Sequence, residues 1–472
     1  MNSATQWFTG RNRRGIWIVV LVVVVGVVVG VAAIVWTDRS PRQSQQATPV
    51  LGGRFRISPQ LDSAPAPRWT VRASDLSDEP GAVLLSAPHS LGRYYGYGGL
   101  MDAGTLIVAA TAVPGSATGE AGLPVGPVRM HGIDPDTGKP RWTTDVGEVD
   151  GCGEIVLEGL LTCRGTHRVL IVDSATGRVL TDHTTDFEVM DIAVRDGVVS
   201  VAGRTADWQT AVITRGTVAD IAATWRKTYP TPIPGEPVTP RIDAPDYFRE
   251  GRDGKVRVFD LRSGELLFTA PVGHVFDGGL IATQVIDRSG SAGTVALLGR
   301  DGHRITEVAN ASFILEWYPA ATATPLPILT GESAYDRTSG RVLWTNALIG
   351  LDDLTGRKGA IVGVVRDTVI VRSLDGATLS GLDLTDGHRI WQQPSPFANT
   401  SQFTRYEGIT DASHLILTDG VTVQAIDGAD GSPVWSMPLP PSGDSRLRSA
   451  VHAMGGRMVT TTAQEFTGYA AD

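Results

Sequence analysis

Lysine is almost missing from this sequence. Only four of its 41 basic residues are lysine (Lys139, Lys227, Lys255 and Lys358), charged residues make up 19%, and the formal net charge is -9. No Lys-rich tract exists to neutralise a phosphate backbone, so nucleic acid is not an expected partner. The arginine-for-lysine skew fits a GC-rich bacterial source. Cysteine is scarce as well, with Cys152 and Cys163 the only two in 472 residues. Such a pair makes poor zinc chemistry. Catalytic signatures are absent: there is no G-x-S-x-G elbow, P-loop or H-E-x-x-H, and the nine histidines are scattered. Asp134-Pro-Asp136-Thr-Gly138 has the start of a calcium loop but lacks its remaining carboxylates, which marks it as a turn. These absences lead us to expect no catalytic residues, no cofactor and no metal.

What is abundant is turn chemistry. Gly (55) and Pro (28) together make about 18% of the chain, against an ordinary share of about 12%. With 42% hydrophobic residues the chain is not disordered, and so many turns disfavour a long helical bundle. An all-β fold is the expectation.

One segment stands out from the rest. Ile16 to Trp36 is a run of 21 residues without a charge, about 31 Å of helix and enough to cross a hydrocarbon core. It lacks the polar face that a soluble core helix would keep. A cleaved signal peptide has an apolar region of only about 7 to 15 residues, so the run predicts an uncleaved anchor. Arg11, Arg13 and Arg14 precede it, while Asp38 and Arg39 nearly cancel after it, which keeps the N-terminus cytoplasmic. Residues 1–14 are therefore expected as a cytoplasmic tail, 15–36 as a transmembrane helix, 37–54 as a flexible tether rich in Ser, Gln, Pro and Arg, and 55–472 as the exported folded region. Gly26 and Gly30 form a G-x-x-x-G that could pack two anchors together, a spacing common in Val-Gly-Ala spans. In an oxidising compartment Cys152 and Cys163 would form one disulfide. They flank an expected hairpin, Gly153 to Leu157 and Leu160 to Arg164 around a turn at Glu158-Gly159.

A single phrase recurs through the folded region: Asp, three residues, Gly, then a bulky residue four further on. The copies are Asp134, Gly138, Trp142; Asp173, Gly177, Thr181; Asp260, Gly264, Phe268; Asp336, Gly340, Trp344; Asp383, Gly387, Trp391; and Asp427, Gly431, Trp435. Degenerate copies end at Trp225 and span Leu298 to Thr306. Alternating apolar residues on either side give two short strands joined by a tight hairpin. Asp starts the turn by bonding its own backbone, and Gly supplies the left-handed position that ends it. A bulky ring then has a fixed place on the second strand, where it can fill the gap to the next sheet. A period of 38 to 47 residues holds about four strands, and repeated four-stranded sheets that bury a face on the next copy make a β-propeller.

The phrase resembles the tryptophan-docking motif of the quinoprotein-type (PQQ-like) β-propellers, A/G-x-D-x-x-T/S-G-x-x-x-W. Gly132, Asp134, Thr137, Gly138 and Trp142 match it in full, as do Ala334, Asp336, Ser339, Gly340 and Trp344. Gly381 to Trp391 and Ala425 to Trp435 match all but the Thr/Ser slot, which holds Asp386 or Asp430. The resemblance covers about residues 55 to 472 and implies a β-propeller, which the uncharged run and the composition would make a membrane-anchored bacterial member. Three strand-like runs follow Trp435, and Arg68-Trp69-Thr70-Val71 is similar to Arg141-Trp142-Thr143-Thr144, so the N-terminal strand is expected to complete the last sheet. Counting docking slots gives nine blades; the irregular segment 274–330 makes eight the preferred number.

Long insertions at 112–127, 228–240, 394–402 and 438–446 fall on the face that carries the B-C and D-A connections, against one at 318–326 on the other. That decorated face is the expected site for a protein or envelope partner. Tyr94, Tyr95 and Tyr97, among glycines on an expected inner strand, are candidates to stack a ligand near the central channel. The resemblance also implies two functional classes. One is a non-catalytic binding or scaffold module, as in the family's periplasmic lipoprotein of outer-membrane protein assembly; a lipidated N-terminal cysteine is absent here. The other is a dehydrogenase using pyrroloquinoline quinone with calcium, whose relatives often carry a disulfide between adjacent cysteines. Cys152 and Cys163 are not adjacent, so the binding module is the leading expectation and the quinone enzyme the alternative.

Overall fold

In the computed structural model the recurring phrase folds as the same turn each time. Asp134 Oδ1 accepts from the N–H groups of Asp136 (2.9 Å) and Thr137 (3.0 Å), and the Gly138 N–H donates back to the Asp134 carbonyl at 2.9 Å. Gly138 has φ +68°, a region costly for a residue with a Cβ, which is why the turn ends in glycine. The Thr/Ser slot has its own work: the Thr137 and Ser339 hydroxyls donate to Oδ1 of Asp134 and Asp336 (3.1 and 2.7 Å) and accept from the N–H two residues on. Where the slot is Asp, that carboxylate keeps the accepting half, Asp386 from the His388 N–H (3.0 Å) and Asp430 from the Ser432 N–H (2.8 Å).

The described residues run from 55 to 470 apart from internal stretches, chiefly 86–99, 114–126, 231–237, 276–280, 286–293, 309–319, 350–358, 398–407 and 442–448. They form nine antiparallel sheets in chain order. The first holds Val83–Leu84, Ile107–Ala112, Val128–Ile133 and Pro140–Gly147, with Met101–Asp102 also paired to its second strand. The second holds Gly151–Cys152, Leu160–Gly165, Arg168–Asp173 and Val179–Thr184; the third Glu188–Arg195, Val198–Arg204, Thr210–Thr217 and Trp225–Pro230. The fourth runs from Thr239–Asp243 to Leu266–Pro271 and the fifth from Gly273–Val275 to Arg304–Val308. The sixth has three strands, Ile328–Thr330, Ser333–Tyr335 and Val342–Thr345, because Ala320–Ala321 pairs in parallel with the seventh sheet, Gly359–Val365 to Arg389–Pro394. The eighth runs from Gly408–Thr410 to Pro433–Pro438. The ninth joins Ala450–Met454, Arg457–Thr461 and Glu465–Ala470 to the N-terminal strand Ala66–Arg72.

The expectation of eight blades is therefore corrected to nine. Within 274–330, too irregular in sequence to count, the described strands belong to the fifth sheet up to Arg304–Val308, to the seventh as Ala320–Ala321, and to the sixth from Ile328–Thr330. Their docking slot holds Ile305 in place of a ring.

Each sheet docks on the next through these slots, and the circuit closes. Trp142 Nε1 donates to the Ser174 carbonyl (3.0 Å) in the second sheet's turn, and Thr181 Oγ1 donates to the Val218 carbonyl of the third. Trp225 donates to the Arg262 carbonyl (3.0 Å) of the fourth. Phe268 packs on Gly302 of the fifth and Ile305 on Gly340 of the sixth. Trp344 donates to the Leu384 carbonyl (2.8 Å) and Trp391 to the Gly428 carbonyl (3.3 Å). Trp69, on the N-terminal strand, donates to the Pro135 carbonyl (3.0 Å) of the first sheet. The ninth sheet has no third-to-fourth turn, since its third strand nears the C-terminus and its fourth starts the fold. There the segment around Leu61 substitutes, and Trp435 Nε1 donates to the Leu61 carbonyl at 2.6 Å. The result is a closed β-propeller.

The core is the set of layers between neighbouring sheets. Met101, Val108, Met130, Leu161 and Leu170 fill one layer with both cysteines, and Ile57, Leu61, Ile416, Trp435 and Met458 fill another. Among the described residues no helix is long and apolar enough to cross a membrane; the span expected at 15–36 lies outside them.

Candidate functional site

A cavity of about 250 Å³ opens where the first strands of the second, third and fourth sheets converge; Thr162, Arg164, Met190, Asp191, Ile192 and Arg241 line it together with Gly151, Cys152 and Gly153. Its geometry starts from one irregularity in the third sheet. The register of Glu188–Arg195 against Val198–Arg204 slips between Val189 and Asp191, so Met190 is an extra, bulged residue. A bulge breaks the ladder locally and re-aims the groups around it. Two consecutive carbonyls then hold one guanidinium each: Arg164 Nη1 donates to the Val189 carbonyl (2.8 Å) and Arg241 Nη1 to the Met190 carbonyl (3.3 Å).

Arg164 lies mid-strand in Leu160–Gly165, on the same face as Thr162, while Cys163 points to the opposite face and the core. Burial, and second the nearby charge of Arg241, lower the pKa of Arg164 from its ordinary value, partly offset by Asp191, Asp150 and Glu188. Guanidinium is so basic that it stays charged regardless. Asp191 supplies one carboxylate, which accepts from the N–H groups of Ile192 (2.9 Å) and Ile242 (3.0 Å). Glu188 is committed elsewhere, to a two-bond pair with Arg204 (2.9 and 2.8 Å). Among the described residues the lining thus carries two cations against one carboxylate. Such an arrangement holds and orients a ligand; its guanidiniums do not exchange protons near neutral pH.

Cys152 and Cys163 form a disulfide one wall away. They sit directly opposite one another in the register, with Cα atoms 3.9 Å apart; Cys152 lies on the short strand Gly151–Cys152 rather than just ahead of a strand starting at Gly153, as the sequence suggested. The neighbouring pair Gly153 and Thr162 carries a ladder hydrogen bond (2.7 Å), so the cysteines occupy the closer, non-bonded position.

The other residues singled out in the sequence divide clearly. The Asp and Gly residues of the repeat, 134 and 138, 336 and 340, 383 and 387, 427 and 431, form turns, and Trp142, Trp344, Trp391 and Trp435 lie between sheets. Asp383, Asp386 and His388 come close enough to hold a cation, but Asp383 Oδ1 accepts from the Thr385 N–H (2.7 Å) and Asp386 bonds the His388 ring (2.6 Å), so they are the hardware of that turn. Tyr94, Tyr95 and Tyr97 lie outside the described residues, as does most of each insertion on the face expected to take a partner. Sequence reasoning did not reach Arg164, Arg241 or Asp191. The available signal was an arginine in the middle of an otherwise apolar inner strand.

Comparison with known proteins agrees on the repeat. A family model described as outer membrane protein assembly factor BamB matches residues 333–470, from within the sixth sheet to the ninth. No curated protein matches the chain. Among solved structures, BamB from Moraxella catarrhalis is 12% identical with a TM-score of 0.41, over 86% of this chain and 99% of that one. The quinohemoprotein alcohol dehydrogenase from Comamonas testosteroni is also 12% identical, with a TM-score of 0.41, over 91% and 81%. A europium-containing methanol dehydrogenase is 10% identical with a TM-score of 0.43, over 89% and 96%. Likeness at this level transfers no activity from one protein to another. The family match thus places repeats of this type in residues 333–470.

Proposed function

We propose that the protein is a membrane-tethered, extracytoplasmic β-propeller that serves as a non-catalytic binding or scaffold module for protein or cell-envelope components. The observation that carries this reading is the Cys152–Cys163 pair, buried in the layer between the first two sheets. A core disulfide belongs to an oxidising compartment, and the uncharged run 16–36 behind three arginines supplies both the tether and its orientation. A closed ring of docked sheets is a rigid frame, on which connecting loops can present a surface to a partner. The match of residues 333–470 to a family named for an assembly factor supports a protein partner over a small substrate.

The test is cross-linking in living cells from photoreactive residues placed in the 112–127 and 394–402 insertions, with partners identified by mass spectrometry and each confirmed by the reciprocal cross-link. Recurrent capture of one envelope component from these positions supports the reading; capture from cytoplasmic proteins alone contradicts it. Reconstitution of the full chain with pyrroloquinoline quinone and calcium, read by dye reduction with alcohols and sugars, tests the enzyme alternative. Saturable turnover there would replace the binding module with a dehydrogenase.

A further inference from the structure

The cavity at the third sheet's bulge has a chemistry that the envelope-binding reading does not use. Both guanidiniums are fixed at one nitrogen, by the adjacent Val189 and Met190 carbonyls, and the remaining N–H groups of Arg164 and Arg241 have no other hydrogen-bond partner among the described residues. Two like charges held on neighbouring carbonyls repel one another. Among the described residues of the lining the repulsion is offset by one carboxylate, Asp191, which accepts from two backbone N–H groups, with Asp150 and Glu188 acting from outside the lining. Among the described residues the lining therefore carries more positive than negative charge. Guanidinium forks match the planar, two-oxygen geometry of a carboxylate.

The rest of the lining limits what the carboxylate is attached to. Met190 and Ile192 present apolar surface, and Gly151 and Gly153 leave the wall open for lack of side chains. Inorganic phosphate would gain nothing from that surface. A volume of about 250 Å³ is below the ~300 to 1,000 Å³ of sites for drug-sized molecules. We propose that this cavity is a binding site for a small organic monocarboxylate, its carboxylate bridging Arg164 and Arg241 and its apolar body lying against Met190 and Ile192. Thr162, on the face of Arg164, is positioned to bond a second polar group. The site stands independently of any protein partner, and it can exist whichever side of a membrane the ring occupies.

The test uses the full chain in detergent micelles, titrated by calorimetry with benzoate and butyrate, with benzamide and butyramide as uncharged counterparts, and with inorganic phosphate. Saturable binding of at least one acid is expected, at least about tenfold tighter than its amide, given that hydrogen bonds to charged groups contribute about 1.5–3 kcal/mol. Arg241→Gln, at an exposed side chain, should weaken the acid by about tenfold or more while leaving the melting temperature unchanged. Arg164→Gln should do the same; if it fails to fold, Arg241→Gln alone decides. Absence of saturable binding by either acid, equal binding of acid and amide, preference for phosphate, or indifference to Arg241→Gln would each overturn the proposal.

Discussion

Replacing Trp344 by alanine should remove one of the nine joints of the ring. The indole is 6% exposed, its Nε1 donates to the Leu384 carbonyl at 2.8 Å, and its face lies on Gly387, where φ is +74°. A buried ring of this size hides about 200 Å² from water, or about 5 kcal/mol at ~25 cal/mol/Å². Trp→Ala in packed cores costs about 3–5 kcal/mol, and the Leu384 carbonyl loses its partner as well. We expect a loss of about 4 kcal/mol, which at about 2.1 cal/mol/K of unfolding entropy per residue lowers the melting temperature by about 5 °C for a chain of this size. Circular dichroism of the full chain reads it. Gly387→Ala should also destabilise, since a Cβ there would run into the ring and the backbone conformation disfavours it. In the Trp344→Ala background the steric component vanishes, so the two changes should couple by at least about 1 kcal/mol. A Trp344→Ala variant that melts within about 1 °C of its parent, or two strictly additive changes, would refute the docking of this ring on its neighbour.

Two further outcomes follow from the core. Peptide mapping without reductant, on protein purified from cells, should recover Cys152 and Cys163 linked; two free thiols would remove the main support for an oxidising compartment. His131 is fully buried between the Thr111 and Thr143 hydroxyls (2.9 and 3.1 Å), and burial foremost, with Arg129 second, lowers its pKa to about 4. The unfolded chain then binds the proton more readily. The stability His131 contributes is therefore present above about pH 6.5 and is lost as the pH falls towards 4, by about 3 kcal/mol in all. Urea midpoints of the parent and His131→Gln should differ less at about pH 4.5 than at about pH 7; an unchanged gap contradicts the buried neutral imidazole.

Much of the ring was legible because its joints are chemically distinctive. An Asp and a Gly at fixed spacing before a tryptophan give a turn and a docking ring together, and Trp69 in a phrase like that of Trp142 pointed to the strand that closes the circle. The blade count failed where the docking residue was inconspicuous. Ile305 fills a slot in which other sheets carry an indole, and an isoleucine in a strand announces nothing, so one blade was undercounted. The role of Leu61 is carried by a backbone carbonyl, to which any residue would contribute equally. The cavity was hidden for a related reason. Arg164 and Arg241 are 77 residues apart, and only the extra residue at Met190 brings both to neighbouring carbonyls. A bulge has no composition signal when none of its residues is glycine.

The proposed function depends most directly on the compartment in which the propeller folds. Fusing alkaline phosphatase after Asp472, and in parallel a green fluorescent protein, reads that side in growing cells. The three arginines before the uncharged run, and the buried cysteine pair after it, predict an active phosphatase and a dark fluorescent protein. An inactive phosphatase with a bright fluorescent protein would put the ring in the cytoplasm and contradict the envelope-binding function.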